Sequence, residues 1–183
     1  MTRQPVHRHI PAAAAVLAAL VLFVAAAAHG EARMELSSSS IVGGQIAQAH
    51  ACRGKGGKDQ APQLTVRGLP AEARYISIVA DDPDAMKPAG KVWVHWNVFN
   101  VAAQGEASVA AGQKLAGDEG QTSGGRHGYE GMCPPDGVHT YRFAVFASRE
   151  KLAVDPRTPW TIDAFEARYG AQVLAKAQIS GRF

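Results

Sequence analysis

The chain has 183 residues, of which 46% are hydrophobic, 19 are basic and 16 are acidic. This length and composition predict one folded domain and exclude a multidomain, collagen-like or wholly disordered chain. The formal net charge is +3, and no block of lysine and arginine gives any indication of nucleic-acid binding.

Residues 1–30 are predicted to be a secretory signal peptide. Arg3 and Arg8 form a basic start, an apolar run follows from Ile10 to Ala28, and small residues surround a cleavage point at residue 30. The alternative is an uncleaved N-terminal anchor, because an apolar run of this length can span a bilayer. We favour cleavage, which leaves residues 31–183 as a periplasmic or secreted domain with no stable membrane insertion.

The first half of this domain has the pattern of a β-rich fold. Short segments separated by glycine turns lead to residues 75–81, which are β-branched and apolar enough for a buried strand. Residues 91–101, KVWVHWNVFNV, predict a strand at the middle of a sheet. A period of two places Trp93, His95, Asn97 and Phe99 on one face of that strand.

The second half begins with residues 102–131, which show no sustained period and predict a long irregular loop. Residues 139–149, HTYRFAVFASR, predict another strand. Thr161 is the expected N-cap of an amphipathic helix that ends near Lys176. Residues 178–183 are expected to add a short edge strand.

The two cysteines, Cys52 and Cys133, both lie in the predicted exported domain. An oxidising compartment favours a disulfide, and two buried free thiols are the alternative. No Cys-x-x-Cys pair or nearby histidine supports a metal site at these positions.

Asp82, His95 and His139 lie at the ends or on the faces of separate predicted strands, beside aromatic residues and prolines. Such convergence indicates one site, which has four interpretations. The histidines are core residues, or they hold phosphate or carboxylate oxygens with Tyr141 while Asp82 orients or charges an imidazole. A two-histidine, one-carboxylate metal site needs the same residue types. Serine-type hydrolysis is the weakest interpretation, because no G-x-S-x-G motif is present.

Three segments carry a family resemblance: ADDPDA (80–85), VWVHWNVFNV (92–101) and GYEGMCPPDGVHTYRF (128–143). In order and spacing they resemble the signature segments of the phosphatidylethanolamine-binding protein family, in its bacterial Raf-kinase-inhibitor-like branch. The resemblance implies a mainly β fold of two antiparallel sheets with a C-terminal helix. It also implies an anion-binding pocket at one end of the larger sheet.

The same resemblance implies which residues line that pocket. The three motifs supply Asp82, Trp93, His95, Pro135, His139 and Tyr141. Exported relatives with a cysteine in each of the corresponding segments further imply a Cys52–Cys133 disulfide. One departure from the family pattern borders the pocket, because residues 53–62, RGKGGKDQAP, form a longer stretch than usual.

The resemblance favours the anion pocket among the four interpretations. We therefore expect a non-enzymatic protein, without cofactor or metal, that binds phosphate, a phospholipid head group or a carboxylate. Protonation of one histidine is expected to tighten binding as the pH falls through about 6 to 7. An alternative is a protein-interaction module that inhibits a protease or a kinase pathway through residues 102–131 and the pocket rim. A metal-dependent or hydrolytic enzyme that uses Asp82, His95 and His139 is the third alternative.

Overall fold

The computed structural model describes residue 1 and residues 33–183, and the latter lie in one compact unit. The predicted signal peptide, residues 1–30, falls outside the described residues except for Met1. Within residues 33–183, no helix is both long enough and apolar enough to cross a membrane.

Strands dominate residues 33–183, and two α-helices interrupt them. The strands are β1 (Glu35–Ser37), β2 (Ile41–Val42), β3 (Gln45–Ile46), β4 (Leu64–Arg67), β5 (Tyr75–Asp82), β6 (Trp93–Ala102), β7 (Ala107–Val109), β8 (Asp118–Glu119), β9 (Gly128–Tyr129), β10 (Thr140–Ser148) and β11 (Val173–Arg182). The helices are α1 (Met86–Ala89) and α2 (Ile162–Tyr169). The irregular segment 102–131 thus contains three strands of only two or three residues.

The strands form two sheets. The small sheet has the order β1-β4-β7, and the large sheet has the order β2-β3-β11-β10-β5-β6-β8, with β9 also paired to β6. Neighbouring strands are antiparallel except at a single parallel pairing of Arg182 with Gln45. The predicted mainly β fold of two sheets with a helix near the C-terminus is confirmed.

The large sheet is buried on both faces. One face packs against the small sheet, where Leu64 of β4 joins Ile78 and Phe143 in the same apolar cluster. The other face is covered by α2, whose Phe165 packs with Phe146 in a second cluster. Burial on both faces explains why β5, β6 and β10 are apolar at successive positions.

The helix α2 begins as predicted and ends earlier than predicted. The Thr161 side chain accepts a hydrogen bond from the Ala164 N–H at 3.2 Å, which caps the first turn. The helix ends at Tyr169, and residues 173–176, which we expected to be helical, begin β11. Pairing of β11 along β10 outweighs the helical pattern here, and it extends the expected short edge strand to ten residues.

Candidate functional site

A β-bulge in β6 sets the direction of His95. In the pairing of β5 with β6, Ala80 lies opposite Trp96 and Asp81 lies opposite Val94. His95 is therefore an extra residue on β6, and the inward and outward alternation of side chains is reset at this position.

The bulge separates side chains that a strict period of two would keep together. Trp93 and His95 border a cavity that Tyr141 also lines. Phe99 lies on the other face of the sheet, where its ring stacks on Phe165 of α2 at 5.6 Å between centroids. The prediction that Phe99 shares a face with Trp93 and His95 is wrong, because alternation holds only along an unbulged strand.

The side chains that the sequence singled out surround one cavity of about 240 Å³. It lies where β5 ends and where β6 and β10 begin. Its lining includes all six predicted residues, Asp82, Trp93, His95, Pro135, His139 and Tyr141. Ala85, Pro88, Ala89 and Pro134 add further apolar surface to its wall.

The Asp82 carboxylate is buried and hydrogen-bonded at both oxygens. Oδ1 accepts the backbone N–H groups of Asp84 at 2.9 Å and Ala85 at 3.2 Å. Oδ2 lies 2.7 Å from Nδ1 of His139. Because its oxygens are already engaged, Asp82 orients and charges His139 rather than offering a free acceptor to the cavity.

The His139 ring has a carboxylate at each nitrogen. Nε2 lies 3.3 Å from Oδ1 of Asp136, whose side chain is 54% exposed. Burial lowers the pKa of His139, but the hydrogen bonds and charges of Asp82 and Asp136 outweigh that effect, and the pKa is raised overall. His139 therefore keeps its second ring proton to a higher pH than an ordinary histidine does. The sequence prediction missed Asp136, although it precedes His139 by only three residues.

The His95 ring is held differently. Its Nδ1 lies 2.9 Å from the backbone carbonyl oxygen of Glu130. A carbonyl can only accept, so Nδ1 carries the hydrogen. Burial lowers the pKa of His95 despite the opposing effects of the Glu130 carbonyl and the Asp82 charge. The neutral form of His95 is therefore favoured at neutral pH, and in that form its Nε2 offers a lone pair rather than an N–H group to the cavity.

The Tyr141 hydroxyl is buried and has no hydrogen-bond partner within the described residues. Burial raises the pKa of Tyr141, and the charges of Asp82 and Asp84 raise it further, so the phenol keeps its proton. Leaving a buried hydroxyl unpaired costs about 1 to 3 kcal/mol, and such a group calls for an explanation. Tyr141 thus presents an unused donor at the cavity wall.

The mouth of the cavity combines apolar surface with a positive charge. Trp93 is half-buried there, and Pro135 is exposed. The ammonium group of Lys91 lies 4.9 Å from the centroid of the Trp93 ring, a cation–π contact. Sequence reasoning did not single out Lys91.

A disulfide joins Cys52 to Cys133, as predicted, with 5.4 Å between the Cα atoms. Cys133 lines the cavity, so the bond ties the N-terminal part of the domain to the cavity wall. The bond closes a loop across 81 positions, which by chain-entropy reasoning is worth about 4 kcal/mol.

The long stretch after Cys52 is held against the same wall by Asp59. Its Oδ1 accepts the backbone N–H of Gly131 at 2.8 Å, and its Oδ2 accepts from Arg126 at 2.8 Å. Gly131 itself lines the cavity. The extra residues relative to the family pattern therefore form a fixed support.

Two observations bear on the metal-site and serine-hydrolysis interpretations. In residues 33–183, no group of three or more histidine, cysteine, aspartate or glutamate side chains is arranged to hold a metal ion. The described cavity lining also contains no serine, and its cysteine is bonded in the disulfide.

Comparison with known proteins agrees with this fold. The family model described as phosphatidylethanolamine-binding protein matches residues 37–183. The chain belongs to the phosphatidylethanolamine-binding protein family. The resemblance inferred from the three sequence motifs is confirmed.

The relatives include proteins from archaea and bacteria. The chain is 35% identical over 145 residues to a UPF0098 protein of Methanothermobacter thermautotrophicus, covering 76% of this chain and 91% of the relative. It is 43% identical over 103 residues to a Mycobacterium tuberculosis protein named as the lipoprotein LppC, covering 55% of this chain and 49% of the relative.

Solved structures of family members have the same fold. The homologue CT736 of Chlamydia trachomatis superposes with a TM-score of 0.71 at 25% identity, covering 83% of this chain and 97% of the other. Escherichia coli YbcL, described as a new member of the mammalian family, gives a TM-score of 0.69 at 27% identity, covering 83% and 98%.

Proposed function

We propose that this chain is an exported binding protein whose cavity holds a small anionic group, phosphoryl or carboxylate, without catalysing a reaction. The observation that carries the proposal is the Tyr141 hydroxyl, which is buried and unpaired at the cavity wall. An anionic oxygen placed in the cavity would accept its hydrogen bond and remove the cost of leaving it unpaired.

The charge of the site favours an anion. The raised pKa of His139 favours its cationic form, and its Nε2 has only the long contact to the exposed Asp136. Charge-assisted hydrogen bonds are shorter and stronger than neutral ones, so an anionic oxygen is a better partner for this N–H group. Trp93 and Pro135 offer apolar surface to the remainder of a larger ligand, such as the organic part of a phosphate monoester.

A binding role, rather than catalysis, is supported by the composition of the cavity wall. The described lining holds no serine, threonine or lysine, and its cysteine is bonded in the disulfide, so carboxylate, imidazole and phenol groups are the nucleophiles that remain. The Asp82 carboxylate is committed to His139 and to two backbone N–H groups.

Export to the periplasm or the cell exterior is supported by three features. The N-terminal 30 residues have the pattern of a signal peptide. The Cys52–Cys133 disulfide is stable in an oxidising compartment. One relative is named as a lipoprotein.

The test is calorimetric titration of the exported domain with inorganic phosphate at pH 7. Replacement of His139 by Gln should weaken binding at least tenfold, because one charge-assisted hydrogen bond is worth about 1.5 to 3 kcal/mol. The matched control is His127→Gln, since His127 is exposed and lies outside the cavity. Absence of phosphate binding in the parent, or equal affinity in both variants, contradicts the proposal. A protein-interaction role through residues 102–131 would survive the His139 substitution.

The same titration gives a pH dependence. Because the pKa of His139 is raised, anion affinity should fall as the pH rises through that raised value, which lies above the ordinary histidine value of about 6.5.

A further inference from the structure

We infer that the cavity selects an oxyanion that still carries a hydrogen on one oxygen, such as hydrogen phosphate or the monoanion of a phosphate monoester. Sulfate, carboxylates and phosphate diesters carry no such hydrogen at neutral pH, so they should bind more weakly than a protonated phosphate, which narrows the ligands of the proposed function. This inference rests on the proposed function and names the ligand class of that site.

The first step is the tautomer of His95. Its Nδ1 donates to the Glu130 carbonyl oxygen at 2.9 Å, so the hydrogen of the neutral ring is at Nδ1. Nε2 then carries a lone pair and can only accept a hydrogen bond. His95 lines the cavity, and within residues 33–183 its Nε2 has no hydrogen-bond donor.

The second step is that the groups around His95 cannot supply the missing hydrogen. Asp82 is a carboxylate already held by His139 and by backbone N–H groups. The Glu130 carboxylate is bonded elsewhere, to the Thr122 hydroxyl at 2.6 Å. The Tyr141 ring stands edge-on to His95, with 5.2 Å between centroids, and its hydroxyl is unpaired.

The third step is the set of hydrogen-bond donors and acceptors that a ligand must have to match the cavity. His139 and Tyr141 are donors, so they call for oxygen lone pairs on the ligand. His95 is an acceptor, so it calls for a hydrogen. A singly or doubly protonated phosphate meets both requirements with one tetrahedral group. Sulfate has the same shape, but it brings an oxygen lone pair against the nitrogen lone pair of His95 in a buried setting, where an unmade hydrogen bond is costly.

The experiment compares three tetrahedral anions of similar size on the same exported domain at pH 7. Inorganic phosphate carries an O–H group, whereas sulfate and monofluorophosphate are fully deprotonated. Calorimetric titration should give phosphate an affinity at least tenfold higher than either of the others, the size expected for one hydrogen bond to a charged partner. Acetate should bind as weakly as sulfate.

The decisive variant is His95→Asn. Its amide nitrogen lies near the former Nδ1 position and can donate to the Glu130 carbonyl, whereas nothing replaces the lone pair at Nε2. The preference for phosphate over sulfate should fall to less than threefold, while His139→Gln should weaken both anions and keep the preference.

The outcomes separate the two proposals. If the parent binds phosphate and sulfate equally, the inference is wrong and the anion-binding function stands. A His95→Asn variant that keeps the full preference also refutes the inference. If the parent binds none of these anions, both proposals fail.

Discussion

The last two residues of β5, Asp81 and Asp82, bury their carboxylates on opposite faces of the large sheet. The Asp81 carboxylate accepts hydrogen bonds from Nε and Nη2 of Arg142, each at 2.8 Å. It also accepts one from the backbone N–H of Ile162 at 2.9 Å. Arg142 in turn reaches the exposed Asp163 of α2 at 3.3 Å. This side therefore joins the start of α2 to the sheet through a closed set of hydrogen bonds.

The opposite face of the sheet has the same order of a buried carboxylate, a basic side chain and an exposed carboxylate, but the basic side chain is a histidine. Asp82 binds His139 at 2.7 Å, and His139 reaches the exposed Asp136 at 3.3 Å. Arginine stays charged at any physiological pH, whereas histidine titrates near neutrality. The Arg142 side ends against a helix, and the His139 side ends at a cavity. A permanent cation thus holds the helix to the sheet, whereas a titratable one lies at the cavity.

The largest effect is expected on the helix side. Arg142→Ala leaves the fully buried Asp81 carboxylate without its cation, and removing one partner of a buried pair costs about 3 to 5 kcal/mol. The free energy of unfolding, measured with denaturant at pH 7, should fall by about 3 kcal/mol, since Arg142 is partly exposed. As a control, Arg157→Ala removes an exposed ion pair with Asp155 and should leave the denaturant midpoint of unfolding unchanged. Equal midpoints for both variants would show that Asp81 does not need its cation.

An intermediate effect is expected on the cavity side, where the shifted pKa values of two histidines make stability depend on pH. The raised pKa of His139 contributes stability that is present below about 6.5 and is lost as the pH rises through the raised value. The lowered pKa of His95 acts on the acid side, where stability present above about 6.5 is lost as the pH falls through the lowered value.

The free energy of unfolding should therefore fall on both sides of about pH 6.5. His139→Gln should flatten the alkaline side, and His95→Asn should flatten the acid side. Denaturant unfolding at a series of pH values measures both slopes. An unchanged alkaline slope in His139→Gln would mean that the Asp82–His139 pair does not control it.

The smallest effect concerns the two exposed carboxylates. Asp136→Asn removes an internal competitor of the ligand from Nε2 of His139, so phosphate should bind about two- to threefold more tightly at pH 6, a size typical of exposed ion pairs. The pH midpoint of binding should move down, because Asp136 helps to raise the pKa of His139. Asp163→Asn, at the same 3.3 Å from the other cation, should leave phosphate affinity unchanged. A loss of affinity in Asp136→Asn would assign Asp136 to ligand binding instead.

Sequence patterns predicted the elements that depend on local composition. The strands β5, β6 and β10 follow from runs of β-branched and aromatic residues, and the start of α2 follows from Thr161. The end of α2 could not be predicted in this way, because pairing with β10 decides that β11 begins at Val173. The predicted strands already indicated a shared site for Asp82, His95, His139 and Tyr141, whereas Trp93 and Pro135 were assigned to it through the family motifs. Periodicity alone also places Phe99 beside His95, which the bulge prevents.

The remaining features of the site have weak signals or none. Asp136 could have been proposed from its spacing to His139, because three residues are within reach of a tight turn. The Glu130 carbonyl that fixes the tautomer of His95 is a backbone group, and no residue type marks it. The bulge likewise leaves no mark in an uninterrupted alternation of valine and aromatic side chains.

The extra residue in β6, His95, has a practical consequence for protein engineering. A transplant of the Asp82, His139 and Tyr141 positions onto another antiparallel sheet would not reproduce the cavity unless the third strand were also one residue longer than its neighbour. Deleting residue 95 would leave Trp93 opposite Asp82 and Trp96 opposite Ala80, which is an ordinary antiparallel register. The imidazole therefore occupies a position that exists only because β6 is one residue longer than its neighbour, and shortening the strand would remove that position without turning Trp93.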